Sequence, residues 1–341
     1  MVKELSYSCF NTLKILSFPD RFESLLKGDI PKPINVTVDP ADTCELDCKF
    51  CLSAGFRQRA YQASEEKLLW LADMLPNITC SVTVSGGGES LTNPYTGKFI
   101  HRLKDNGLQV GMITNGVNMN QFIDDIMYSL RWIDISLDAA YTETYNLLKG
   151  GDAGTYAQVI DNIKQLVRQR KELPRIGIKF LITPENHDEI RDAVRFSKSI
   201  GVDYFYATPG FLATQDWLPE QIALIYDSID KAKSFENDFF TVHLQLGESF
   251  QDMVPDHCDI TPLTGLTFSA DGNCYCCGDL RNIDQGYLCR WEDILSFWGS
   301  EAHKEKLKKL NTEDCPHCTL SHQQFILEDM FKNDKMMRFF P

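Results

Sequence analysis

Three cysteines, Cys44, Cys48 and Cys51, stand in the spacing C-x3-C-x2-C with no histidine close by. Three thiolates leave a metal centre one ligand short. An iron–sulfur cube held by three cysteines keeps one iron open, and an open iron binds a small chelating molecule. A zinc knuckle is the competing reading, but zinc asks for a fourth Cys or His nearby. A second group lies far along the chain, with Cys258, Cys277, Cys315 and Cys318 as candidate ligands and Cys274, Cys276 and Cys289 interspersed. Four thiolates close equally well around zinc or an iron–sulfur cluster. His257 and His317 flank these cysteines and read as neighbours or solvated residues, since four thiolates suffice. Twelve cysteines without a secretion-type leader point to metal or catalysis rather than to disulfides.

Polar residues recur at a second kind of place. Ser85 is followed by Gly86, Gly87, Gly88 and Glu89, a turn in which glycines let backbone approach a ligand closely and the glutamate offers a carboxylate. Asn115 opens an Asn-Gly turn. Ser136 and Asp138 alternate along one strand and so share a face, and Lys179 lies in a later strand.

The elements that position these residues alternate regularly. Short apolar or β-branched runs at 34–38, 81–85, 109–114, 132–137, 176–182 and 204–207 read as strands. Helical spacing marks 64–75, 97–106, 119–130, 155–172 and 187–200. Asn106-Gly107 and Ile200-Gly201 put glycine where helices stop, and Ser64 with Lys67 gives half of an N-cap. Such βα units build a parallel sheet, and six of them make an open, partial TIM-like barrel, (βα)6, rather than the full eight. A helix near 219–234 and a strand near 240–246 follow. The expected division is an N-terminal extension at 1–33, the barrel at 34–250, a small cysteine-rich domain at 251–325 and a tail at 326–341. The cysteine-rich segment mixes Gly, Pro and Cys with few periodic runs, so its order is expected to come from metal rather than from a core.

With its aromatic Phe50 before the last cysteine, the first cysteine loop resembles the defining motif of the radical S-adenosylmethionine (SAM) superfamily, and it follows the first strand as it does there. In that family the aromatic looks onto the adenine of SAM, and a Gly-Gly-Glu after the second strand holds the methionine amino group. The resemblance therefore implies a [4Fe-4S] cluster on Cys44, Cys48 and Cys51. It implies SAM held by Phe50, Gly86, Gly87, Gly88 and Glu89, with Asn115 nearby, Ser136 and Asp138 at the ribose, and Lys179 at the SAM carboxylate. The stretch from Ser269 through Asp271-Gly272 to Gly278 is similar to the twitch and SPASM extensions of the family. It implies an auxiliary [4Fe-4S] cluster on Cys258, Cys277, Cys315 and Cys318. Spacing from Gly272 favours Cys277, with Cys276 as the alternative.

The implied reaction begins with reductive cleavage of SAM to a 5′-deoxyadenosyl radical that takes a hydrogen atom from a substrate carbon. An auxiliary cluster with four cysteines points to oxidation, by dehydrogenation or oxidative bond formation. Three alternatives stay open: a redox-neutral epimerase or mutase with Cys289 or Cys274 as hydrogen donor, a peptide-modifying maturase, and a metal-binding scaffold without catalysis. About thirty residues precede the first strand, too few for a separate peptide-binding domain, which favours a small-molecule substrate over a peptide. An electron donor such as flavodoxin or ferredoxin is the implied partner. The formal charge of −14 disfavours an extended grip on nucleic acid. No apolar run is long enough to span a bilayer, and the expected location is the cytoplasm.

Overall fold

A computed structural model describes residues 16–55, 59–209, 217–244 and 255–331. The expected domain boundary near 250 and most of the tail lie outside these residues. The strands, in chain order, are β1 (Asn35–Val38), β2 (Ser81–Val84), β3 (Gln109–Thr114), β4 (Trp132–Ser136), β5 (Arg175–Ile182), β6 (Tyr204–Pro209), β7 (Thr241–Leu244), β8 (Thr267–Phe268), β9 (Asn273–Tyr275) and β10 (Tyr287–Arg290). The α-helices are α1 (Pro19–Leu26), α2 (Glu65–Met74), α3 (Thr96–Asp105), α4 (Ile123–Ser129), α5 (Thr142–Lys149), α6 (Thr155–Gln169), α7 (Ile190–Ile200), α8 (Pro219–Lys233), α9 (Ile294–Phe297), α10 (Glu301–Lys308) and α11 (Ser321–Phe331).

All ten strands form one sheet in the order β10-β9-β8-β1-β2-β3-β4-β5-β6-β7. Strands β1 to β7 run parallel, so the run extends one strand past the expected six: α8 returns the chain to lay β7 beside β6. Apolar residues alternate along the strands, and one face of the sheet packs on the helices. Val36, Val82, Met112, Ile133, Ile178 and Phe205 meet Leu71, Phe99, Ile100, Ile126, Ile163 and Val194 in a single buried core. The opposite face turns inward and mixes polar Thr37, Thr83, Ser136 and Lys179 with apolar Ile113 and Leu181. Gly177 there makes room for a ring: a Cβ would lie 1.9 Å from the ring of Tyr204.

Helix ends follow local chemistry. Ser64 Oγ accepts from Lys67 N at 3.3 Å at the start of α2, and Gly201 closes α7 at φ 85°. Helix α7 starts at Ile190 rather than 187, because Asn186 is committed to a turn. Its Oδ1 accepts from Thr183 N at 2.7 Å, and its Nδ2 donates to Asp138 O and Leu181 O, each at 2.8 Å.

The C-terminal segment departs from the expectation that metal supplies its order. Strand β8 pairs in parallel with β1, β9 and β10 continue the sheet antiparallel, and Leu266, Phe268, Leu288, Trp291 and Ile294 join the main core. Its apolar residues are too scattered in sequence to show a period, yet they converge on the far side of β1. Helix α1 is also tied down, with Phe22 packing against Ile260, Leu263 and Leu327.

Candidate functional site

The cysteine loop after β1 is held by a helix the sequence reading passed over. The last turn of α5 leaves carbonyls without intrahelical partners. Asp47 N donates to Lys149 O at 3.0 Å and Lys49 N to Leu148 O at 2.9 Å. Gly150 caps α5 at φ 66° directly against Asp47. Cys51 N closes the loop on Cys48 O at 3.2 Å. All three cysteines are half-buried. Burial, aided by the neighbouring Glu89 and Glu45 carboxylates, pushes the Cys44 thiol up to about 12. A thiolate here therefore needs a positive centre beside it, as a metal cluster supplies.

The glycine turn after β2 lies on this loop. Gly88 N donates to Ala41 O at 3.0 Å and Glu89 N to Thr43 O at 2.7 Å. A Cβ on Gly88 would stand 2.2 Å from Thr43 O and 2.4 Å from Asp42 C. The close approach that Gly88 permits is thus to the cysteine loop's own backbone. Glu89 is 4 % exposed. Its Oε1 accepts from Leu91 N at 3.0 Å and Thr114 Oγ1 at 2.8 Å, and its Oε2 from Asn115 N at 2.7 Å. Burial outweighs these bonds and raises its carboxyl to about 7. Asn115 Nδ2 reaches Glu45 Oε2 at 3.3 Å and lies 3.8 Å from Cys44 Sγ.

A cavity of about 810 Å³ opens at the carboxyl ends of the strands. Of the sequence candidates, Phe50, Cys51, Gly86, Ser136, Asp138, Lys179 and Cys277 line it. Cys44, Cys48, Gly87, Gly88, Glu89 and Asn115 are not in its wall. Asp138 sits at φ 60°, with Oδ1 accepting from Leu181 N at 2.7 Å. Its Oδ2 meets Lys149 Nζ at 2.5 Å, and the same ammonium donates to Ser136 O at 3.0 Å and lies 5.4 Å from the Phe50 ring centroid. Lys149 thus braces the end of β4, the aromatic and the helix that carries the cysteine loop. The helix-stopping Gly150 was the available signal for it.

The second cysteine group converges as well. Cys258, Cys277, Cys315 and Cys318 line one small cavity of about 20 Å³ together with Asp279 and His317. Cys276 is not in that wall. Asp279 N donates to Cys277 Sγ at 3.4 Å, and Asp279 Oδ1 lies 3.1 Å from His317 Nε2. His317 also lines the large cavity, whereas His257 is exposed and lies 3.0 Å from Asp259. Cys274 and Cys289, the candidate hydrogen donors, face each other across β9 and β10, both buried and in the wall of neither cavity. Cys277 lines both cavities. Among the described residues, no three Cys, His, Asp or Glu side chains stand close enough to hold a single metal ion. As donor sets, three loop thiols and four thiols around one hollow fit iron–sulfur ligation, which is made by cysteine thiolates. No helix among the described residues is long and apolar enough to cross a membrane.

Residues 38–197 match the model of the radical SAM superfamily. A probable GTP 3′,8-cyclase of Saccharolobus islandicus is 27 % identical over 166 residues, 47 % of this chain and 51 % of that protein. The tungsten-containing aldehyde ferredoxin oxidoreductase cofactor-modifying protein of Pyrococcus furiosus is 24 % identical over 201 residues, 55 % of this chain and 54 % of that protein. The chain thus spans about half the length of the curated relatives it matches. Among solved structures, Streptococcus suis SuiB bound to precursor peptide SuiA superposes with a TM-score of 0.65 at 14 % identity, over 91 % of this chain and 75 % of that one. The likeness to SuiB is one of fold.

Proposed function

From the premise that this chain carries a radical SAM domain, with the [4Fe-4S] cluster and SAM that such a domain uses, we propose that it oxidises its substrate in the large cavity with the help of an auxiliary [4Fe-4S] cluster. In this reading Cys44, Cys48 and Cys51 hold the first cluster, and Cys258, Cys277, Cys315 and Cys318 hold the second. One observation carries it: Cys277 belongs to the walls of both cavities, and Phe50 and Cys51 line the large one as well. A substrate in that chamber reaches the first cysteine loop and the second cysteine group without leaving the protein.

When bound, the first cluster and SAM supply a 5′-deoxyadenosyl radical that takes a hydrogen atom from a substrate carbon. The chain's own side chains orient and shield. Phe50 offers an apolar face to the adenine and Ser136 a hydroxyl to the ribose, while Ser85 and Gly86 bring the start of the glycine turn to the cavity for the methionine end; the Glu89 carboxylate, engaged by Leu91, Thr114 and Asn115, holds that turn in place. Lys149 and Asp138 satisfy each other and keep the strand end rigid. A substrate that then loses one electron, toward the Cys277 side, and one proton emerges two hydrogens lighter. The buried positions of Cys274 and Cys289 speak against an epimerase that uses either as donor. A peptide remains a candidate substrate beside a small molecule, because SuiB, which shares the fold, was captured with its precursor peptide.

The test is anaerobic reconstitution of the full chain followed by reduction with dithionite. It should yield about eight irons and form 5′-deoxyadenosine. Joint replacement of Cys44, Cys48 and Cys51 by alanine should remove about half the iron and all the 5′-deoxyadenosine while the fold persists. Retained SAM cleavage in that variant, or stoichiometric zinc at the second cysteine group, would overturn the assignment.

A further inference from the structure

We propose that Arg281 is a positioning residue for SAM: reaching back from the cysteine-rich segment, it fixes the glycine turn after β2, so that the SAM pocket is completed by the segment that carries the second cysteine group. The inference rests on the reading of that turn as part of the SAM site.

The turn has two supports of different origin. Gly88 and Glu89 are bonded to barrel residues, through Ala41, Thr43, Thr114 and Asn115. Gly86, which opens the turn onto the large cavity, is held from far along the chain, where Arg281 Nη1 donates to Gly86 O at 3.1 Å. The chain leaves Cys277 through one 3₁₀ turn, Gly278–Leu280, and Arg281 caps that turn.

The guanidinium has its own anchor. Its Nε lies 3.1 Å from Asp39 Oδ2 and its Nη2 3.5 Å from Asp39 Oδ1, with the Asp39 side chain 0 % and the Arg281 side chain 15 % exposed. All three guanidinium nitrogens thus face Asp39 and Gly86, and a planar fork held on two partners fixes direction as well as charge. The N–H of Gly87 also faces the Asp39 carboxylate. The ion pair therefore meets both polar atoms of the peptide group between Gly86 and Gly87. A peptide group between two glycines rotates with little hindrance, and neither glycine tolerates a side chain that would stiffen it. A Cβ on Gly86 would lie 2.5 Å from Gly88 O, and one on Gly87 2.6 Å from Asp42 Oδ1. The turn must be set from outside, and fixing it before SAM arrives removes an ordering cost from binding.

Asp39 is not in the wall of the cavity, whereas Arg281 and Gly86 are, and this difference makes the test. The reconstituted full chain is titrated calorimetrically with SAM and with decarboxylated SAM under anaerobic conditions, as wild type, Arg281→Met, Arg281→Lys, Asp39→Asn and the double variant Asp39→Asn/Arg281→Met. Arg281→Met should raise the Kd of SAM about tenfold, as expected for a lost charge-assisted bond, and Arg281→Lys should recover less than half of that on a logarithmic scale, since an ammonium lacks the fork. Asp39→Asn should raise it about threefold or more, and the double variant should bind within about twofold of Arg281→Met, because both changes undo one clamp. Decarboxylated SAM should weaken by the same factor as SAM in Arg281→Met. A loss confined to SAM would make Arg281 a direct ligand of the SAM carboxylate and overturn the positioning role. Urea unfolding of the metal-free chain separates folding from positioning: the double variant should regain stability over Arg281→Met, since no buried carboxylate is left unpaired, without regaining SAM affinity. Affinity that returns with stability, or an unchanged Kd in Arg281→Met, would overturn this inference alone. Absence of SAM binding and of 5′-deoxyadenosine in wild type would instead overturn the reading of the site, and this inference with it.

Discussion

Replacing Lys149 by methionine keeps the length and apolar body of the side chain and removes three donors and a charge. The Lys149 and Asp138 side chains are each 3 % exposed and meet at 2.5 Å, so the variant leaves a carboxylate buried without its cation. Removing one partner of such a pair costs about 3–5 kcal/mol. The lower end, about 3 kcal/mol, applies here, because Asp138 Oδ1 keeps its bond from Leu181 N. Burial alone would lower the pKa of Lys149, but the Asp138 carboxylate, aided by Cys48, outweighs it and holds the ammonium above its ordinary 10.5. A lysine raised in this way contributes stability that is whole below about 10.5 and is lost only as pH rises through the raised folded value. The cost of Lys149→Met should therefore be the same at pH 6 and pH 9. Urea unfolding of the metal-free chain, followed by circular dichroism, measures it. Adding Asp138→Asn should recover about half, because a neutral amide is cheaper to bury unpaired than a carboxylate. A cost below about 1 kcal/mol for Lys149→Met, or an equal cost with and without Asp138→Asn, would refute the account. The same variant should slow 5′-deoxyadenosine formation at least tenfold, since the helix that carries the cysteine loop loses its brace.

Two further predictions concern the glycine turn. Gly88→Ala pushes a Cβ to 2.2 Å from Thr43 O, so the two loops must part; urea unfolding should show a loss of about 2 kcal/mol or more, and SAM cleavage should be abolished, whereas Gly55→Ala, whose Cβ would meet nothing within 4 Å, should cost less than about 0.5 kcal/mol. Glu89 has its carboxyl raised from 4.5 to about 7; between those values the folded chain holds a proton that the unfolded chain lacks, so this group's contribution is whole below about 4.5 and is lost as pH rises through 7. The loss is about 3 kcal/mol, and stability measured at pH 4.5 and pH 8 should fall by about that much less in Glu89→Gln, with equal slopes counting against the assignment.

What could be read from the sequence was local. The C-x3-C-x2-C spacing, the Ser64 cap and the glycines after α3 and α7 act over a few residues, and each is visible in a short window. The alternation of β1 to β6 was legible for the same reason. Helix α5 was not, because Thr142, Thr144, Tyr145 and Asn146 are weak helix formers and the helix is held by its contacts with the cysteine loop. Its buried Lys149 looks like any surface lysine until Asp138 comes to lie against it. Glu89 reads in the sequence as an acceptor for an ammonium, whereas its present partners, Thr114 and Asn115, belong to the next strand and turn and could not be read from its own neighbours. The short β8 offered no period at all, since two residues cannot alternate.

That short strand has a mechanical meaning. Thr37 and Thr267 stand side by side, as do Val38 and Phe268, and Asp39 N continues the ladder to Phe268 O at 2.8 Å. The first cysteine loop leaves the sheet at the end of β1, and Cys277 of the second group follows β9, two places away across β8. Adjacent strands sit about 4.8 Å apart and cannot swing apart without breaking the ladder. The strands from which the first cysteine loop and Cys277 emerge are therefore held like terminals on one rigid board.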